Sequence, residues 1–280
     1  MDSKNDHELA KKRGRPPAKD ELDPIRAKLW FNGFARNLGA TSGYAVEKYY
    51  LGKLAGVTKK EQKKEKYKTK PLTGKFYKHK NGKHLPDRNV VYYLEKFSPG
   101  AAYYYDHPFW EIAKSPVTDL GHHYKVLAGL RPPLTKLLFG NRRTRDQIPT
   151  RTDIDYLSLL AIVVSQSDWD AITLALGLIR EADYLGHEDI RPMYSLMLIE
   201  AYARFAARFP FNTIAGELYA YLKPSFFLGP EGTPTNDIVE SYNLQAAMEA
   251  ALRYKQLYRE DYPNIRFPLK ASRLPDHKLG

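Results

Sequence analysis

The chain has 280 residues and a mass of 32.2 kDa, more than the ~100–150 residues of a common single domain, so two domains or one with a long appendage are expected. Hydrophobic residues make up 43%, including 21 Tyr and 12 Phe, which excludes wholesale disorder. Cysteine is absent, which excludes disulfides, thiol nucleophiles, iron–sulfur clusters and every Cys-containing zinc site. The net charge of +12 is lodged at one end: residues 1–100 carry 24 basic and 11 acidic side chains, residues 101–280 carry 20 and 21. Such asymmetry points to a polyanion as the partner of the first hundred residues. The N-terminus never develops an apolar signal core. The longest apolar stretch, from Tyr156 to Val164 with one Ser inside, has nine residues, against the ~20 that a membrane span needs. A cytoplasmic protein without membrane contact is the expectation.

Residues 1–22 lack apolar periodicity and hold Pro16-Pro17 among charges, the composition of a disordered basic arm. The spacing of Ile25, Leu29 and Phe34 predicts a helix over about 24–37, with Pro24 in its first turn and Gly39 as its stop. Thr41 or Ser42 can cap a second helix reaching about Leu51. Residues 52–72 are nearly all Lys, Gln, Glu and Thr and read as a basic insertion or a solvated helix extension. Phe76 to Asn81 form a short helix ended at Gly82, and Pro86 or Asp87 starts another with Val90, Val91 and Leu94 on one stripe, broken at Ser98-Pro99-Gly100.

Short helical pieces follow at His107–Ala113 and Pro133–Phe139, then an exposed loop over 140–152. Two apolar helices, about 153–164 and 168–185, are expected to form a hairpin capped at Ser167 and stopped at Gly186, with Leu157, Leu160, Ile172, Leu176 and Ile179 packed between them. Helices are further predicted at about 190–208, at Ile214–Leu222, and from about Asp237 to Tyr258, where Leu244, Met248, Ala251, Tyr254 and Tyr258 share a stripe. No run of alternating strands occurs, so the fold class is all-α: an arm (1–22), a nucleic-acid-binding domain (23–115) and a helical C-terminal domain (116–280) for dimerisation or partner binding.

The sharpest motif is Arg13-Gly14-Arg15-Pro16, flanked by Lys11, Lys12 and Lys19. It resembles the AT-hook. The likeness implies two Arg side chains in a narrow A·T-rich minor groove, Gly14 letting the backbone reach its floor and Pro16 keeping the chain extended. Residues 26–99 resemble the Xre/Cro-like helix-turn-helix family, through Gly39 and Thr41 before the second helix and Gly82-Lys83-His84-Leu85-Pro86 before the helix of Val90, Val91 and Leu94. That resemblance implies a recognition helix at 73–81, with Lys75, Lys78, Lys80 and Asn81 toward DNA, Lys83 beside them and Phe76 toward the core. Leu29-Trp30-Phe31, Ser42-Gly43-Tyr44-Ala45 and His107-Pro108-Phe109-Trp110 also resemble a family of uncharacterised bacterial proteins, which implies no function.

Phosphate contacts are expected from Lys59, Lys60, Lys63, Lys64, Lys66, Lys68 and Lys70 in the insertion and from Arg142 and Arg143 in the later loop. Lys66-Tyr67-Lys68 and Lys75-Phe76-Tyr77-Lys78 interleave basic and aromatic groups, a pattern that also suits RNA or single strands. Enzyme motifs are missing: Gly39-Ala40-Thr41-Ser42-Gly43 lacks the nucleophile-elbow spacing, and no phosphate-binding Gly-rich loop occurs. His122-His123 after Asp119 reads as a surface loop, and Glu61-Gln62-Lys63 as part of the lysine run. The expectation is a non-enzymatic DNA-binding regulator of bacterial or phage origin, without cofactor or metal; the alternative is an RNA or single-strand binder in a ribonucleoprotein or phage-defence system. The C-terminal helices are candidates for a homodimer contact.

Overall fold

The computed structural model describes residues 20–58, 72–140 and 148–227. Every regular element among them is helical, and the protein is all-α. The chain divides into two compact units, Met1–Tyr105 and Asp106–Gly280. No helix is long and apolar enough to cross a membrane among the described residues.

The first unit holds α1 (Leu22–Asn37), α2 (Gly43–Thr58), α3 (Lys75–Lys80), α4 (Arg88–Glu95) and α5 (Ala101–Asp106). Helix α1 begins two residues ahead of Pro24 because Asp20 supplies the start: its carboxylate accepts from the Leu22 amide at 3.0 Å. Leu22 is therefore buried core and not part of the arm. Ser42 caps α2 by accepting from the Ala45 amide at 3.2 Å. The helix then runs to Thr58, so the start of the basic insertion is a helix extension. Trp30, Phe31, Phe34, Val46, Phe76, Val90, Val91, Leu94 and Tyr105 form one apolar cluster, with Trp30 stacked on Phe34 at 5.6 Å. Glu95, at the end of α4, accepts from the Gly100 and Ala102 amides at 2.8 and 2.7 Å and so satisfies the first turn of α5.

In the second unit α6 (Phe109–Lys114), α7 (Leu120–Leu127), α8 (Pro132–Phe139), α9 (Tyr156–Gln166) and α11 (Arg191–Ala206) pack around α10 (Trp169–Leu185), and α12 (Ala215–Leu222) is tied to α11 by the Tyr202 hydroxyl, which donates to the Ala215 carbonyl at 2.8 Å. All residues of α10 from Trp169 to Ile179 are buried. Phe109, placed by its sequence position at the end of the first domain, stacks on Trp169 at 4.0 Å, with Trp110 at 5.5 Å; both belong to the second unit. Phe205 and Phe211 complete the stack on Trp169 at 5.4 and 5.3 Å.

Three expectations in this unit are corrected. His122 and His123 lie on a helix, α7, because Asp119 caps it through the Gly121 and His122 amides at 2.9 and 3.1 Å. The two rings diverge: His123 is buried and donates from Nε2 to the Gly177 carbonyl at 3.0 Å, while His122 is exposed against Glu111. The cap of α10 is Asp168, which accepts from the Ala171 amide at 3.0 Å, whereas Ser167 ends α9 in a left-handed turn with φ of 39°. Leu157 is 68% exposed, not packed in the hairpin. On α9 the inward stripe is Leu159 and Val163, one turn apart, which turns Leu157 to the opposite side.

Candidate nucleic-acid interface

The interface expected from sequence centres on α3, and its local geometry follows from its neighbours. Phe76 is fully buried, 6.3 Å from Trp30 and 5.4 Å from Tyr50. His79 is buried beside it, edge-on to Trp30 at 5.7 Å, and its Nδ1–H donates to the His84 carbonyl at 2.7 Å. Burial holds the His79 pKa below the ordinary histidine range, against the opposing pull of that hydrogen bond. With Phe76 and His79 inward, the 3.6-residue period turns Tyr77, Lys78 and Asn81 outward, and all three are exposed. Lys75 and Lys80 flank the buried side and are half-buried. Lys80 spends one donor on the Thr41 carbonyl at 3.2 Å, and the Asn81 amide nitrogen donates to the Tyr77 carbonyl at 3.0 Å.

Two contacts set how α3 sits against α2. A Cβ on Gly43 would lie 2.6 Å from the Tyr77 nitrogen and 2.8 Å from its Cα, so the first residue of α2 touches the α3 backbone directly. Gly43→Ala is expected to destabilise this unit by about 1–3 kcal/mol, the usual range for overpacking, read as a lower urea midpoint; an unchanged midpoint would mean that the two helices separate freely. The second contact is Glu47, buried on α2, whose Oε1 accepts from the Thr73 amide at 2.7 Å and its hydroxyl at 2.8 Å. Thr73 in turn accepts from the Lys75 amide at 3.3 Å, so the entry to α3 is pinned to the middle of α2.

After α3 the backbone turns at Gly82 with φ of 67°, a conformation costly for any residue with a Cβ. A Cβ there would also come within 2.8 Å of the Pro24 carbonyl. Lys83 and His84 follow, both exposed. Asp87 then caps α4, accepting from the Asn89 amide at 2.7 Å.

Of the expected contact residues, the structure brings Lys78, Asn81 and Lys83 to the exposed surface at and just beyond the end of α3, with Lys75 and Lys80 at its shoulders. Arg13, Gly14, Arg15, Pro16, Lys59, Lys60, Lys63, Lys64, Lys66, Lys68, Lys70, Arg142 and Arg143 lie outside the described residues. Two exposed groups escaped the sequence reading: Tyr44, 61% exposed, and Lys48, one turn further along α2. The signal available for them was Gly43, a glycine in a helical first turn that marks a close backbone approach and so orients the residue after it. Compared with protein-family models, curated proteins and solved structures, the chain matches none of them.

Proposed function

We propose that this chain is a non-enzymatic DNA-binding protein of the bacterial or phage cytoplasm, acting as a transcriptional regulator. The observation that carries the reading is the surplus of basic side chains in residues 1–100, together with Lys78, Asn81 and Lys83 exposed at the end of a helix held by Phe76 and His79. In the Xre/Cro-like reading α3 approaches the major groove, and the lysines of the insertion hold phosphates. Arg13 and Arg15 enter the neighbouring minor groove as in an AT-hook. Phosphate contacts supply affinity and register, and sequence is read by the few side chains that reach base edges.

Fluorescence anisotropy of the full chain with A·T-rich duplex, G·C-rich duplex, single-stranded DNA and structured RNA, across 50–200 mM salt, tests this. Duplex DNA is expected to bind tightest with a steep salt dependence. The double variant Lys78→Ala, Lys83→Ala is expected to lower the log–log salt slope by about two, at ~0.9 per phosphate contact. Arg13→Ala with Arg15→Ala is expected to weaken A·T-rich binding selectively. A flat salt response overturns the proposal.

One observation favours a second reading, an RNA or single-strand binder: Tyr44 and Tyr77 are 61% and 59% exposed. Exposed aromatic faces among lysines serve as stacking platforms for unpaired bases. Preference for single strands over duplex, lost in Tyr77→Ala, would decide for it.

A further inference from the structure

Helices α9 and α11 lie side by side and run parallel. At their N-terminal ends the Tyr156 hydroxyl donates to the Met193 carbonyl at 2.8 Å, and at their C-terminal ends Arg208 donates to the Gln166 and Ser167 carbonyls at 2.5 and 2.9 Å. Between these ties the pair bounds an open groove of about 440 Å³. Leu157, Leu160, Ala161 and Val164 line its α9 side, at the spacing of one helix face. The core does not use this stripe: Leu159 and Val163 are the buried residues of α9, and Leu157 is 68% exposed. An apolar stripe left outside the core marks a docking surface. On the α11 side the lining includes Glu200 and Arg204, one turn apart.

We infer that a second copy of this chain covers the groove, in a two-fold dimer whose axis crosses α11 between Glu200 and Arg204 and α9 at Ala161. The charge pattern selects this occupant. Where a two-fold axis crosses a helix at a right angle, the helix meets its own copy running antiparallel, so that residue i faces j and j faces i. Glu200 then faces Arg204 of the partner subunit, and Arg204 faces Glu200 of the partner subunit. One pair of residues thus supplies two opposite-charge contacts. Among the described residues no ion pair joins Glu200 to Arg204 within the chain, which leaves both for that contact. A face that carries its own complement needs no partner of other sequence.

The apolar stripe obeys the same axis. Ala161 is the midpoint of the lining stretch 157–165 and is exposed. With only a methyl group at the crossing, two α9 helices can approach closely, and Leu157 comes against Val164 of the partner subunit. Leu160 packs beside the crossing. The inference uses residues of the second unit alone and does not rest on the nucleic-acid reading.

Sedimentation of the full chain across the micromolar range tests it, and the wild type is expected to dimerise. Glu200→Arg alone sets like charge against Arg204, and Arg204→Glu alone sets like charge against Glu200. Each is expected to raise the dimer dissociation constant about thirtyfold, from two lost attractions and two new repulsions of surface ion-pair strength. An equimolar mixture of the two variants restores opposite charges at both positions and is expected to dimerise again as a mixed pair, which misfolded variants would not do. A monomeric wild type, or a mixture no more dimeric than its two components, overturns the inference. The absence of native cysteine allows a second reading of the same axis. Oxidised Ala161→Cys is expected to give a disulfide-linked dimer, because a residue on the axis lies against its own copy, whereas Tyr184→Cys, 47% exposed at that position in the wild type, is expected to stay reduced. Linkage at 184 and not at 161 places the contact on another face and also overturns it.

Discussion

Asp170→Ala is expected to cost the second unit about 2–3 kcal/mol, the upper part of the ~1–3 kcal/mol penalty for leaving a buried donor unsatisfied. Asp170 is one residue into α10, and its carboxylate is 3% exposed. Oδ1 accepts from His107 Nε2 at 2.9 Å and Oδ2 from Arg131. His107 Nδ1 accepts from the Phe109 amide at 3.2 Å, which requires a neutral imidazole with its proton on Nε2. One carboxylate thus binds the segment before α6 and the start of α8 to the head of α10. Burial by itself would raise the Asp170 pKa, but the bonds from His107 and Arg131 outweigh it and keep the group below the ordinary carboxylate range. Removing it strands His107 among aromatic rings and takes away one of the two carboxylates that hold Arg131.

Asp168→Ala is the control. It deletes the cap on the Ala171 amide and the second carboxylate on Arg131, at a surface the guanidinium already shares with water, and is expected to cost only about 1 kcal/mol. Urea titration followed by the fluorescence of Trp169, 5.3 Å from the His107 ring, measures both. Equal losses for the two variants would mean that the Asp170 site is open to water.

Acid is expected to unfold the second unit more steeply than the first. Burial lowers the pKa of His79 in the first unit and of His107 and His123 in the second, in each case against hydrogen bonds that pull the other way. A histidine whose folded pKa lies below its unfolded value of ~6.5 binds its proton more readily when unfolded. Its contribution is complete above pH ~6.5 and is lost as the pH falls from there toward the folded pKa. Each such group makes stability fall by about 1.4 kcal/mol per pH unit in that window. The second unit should therefore lose about twice as much per unit as the first. Hydrogen exchange at pH 7.5, 6.0 and 5.0 separates the two units by their peptides; parallel slopes in both would contradict the assignment. His123→Gln, which keeps a donor for the Gly177 carbonyl without the titration, is expected to flatten the second unit's slope by about half.

Much of the fold was legible because it rests on local chemistry. Helical periodicity marked α1, α4, α10 and α11, Thr41 or Ser42 and Pro86 or Asp87 marked helix starts, of which Ser42 and Asp87 are the caps, and Gly82 and Gly186 marked stops through backbone conformations that a Cβ disfavours. What failed was the orientation of short or uniformly apolar elements. Helix α9 offers apolar residues on every side, so its period could not say that Leu159 faces the core and Leu157 does not. Helix α7 was missed because its histidines read as polar, whereas one of them is a core group that reaches the Gly177 carbonyl where α7 and α10 touch; a Cβ at Gly177 would come within 2.6 Å of Leu127.

The candidate interface divides in the same way. Its charge, its place in the first hundred residues and the inward turn of Phe76 follow from composition and periodicity, which depend on the chain alone. Which lysines stand clear of the surface was decided by the packing of α2 on α3. The missing Cβ of Gly43 and the buried Glu47–Thr73 bonds hold that contact, and in it Lys80 turns to the Thr41 carbonyl while Tyr77 and Lys78 remain exposed. Sequence by itself determined the all-α class and the concentration of positive charge, because helix propensity, capping and net charge are properties of short stretches. The partners of His107, His123 and Asp170 and the outward turn of Leu157 came only from the tertiary structure, because they depend on residues brought together from distant parts of the chain.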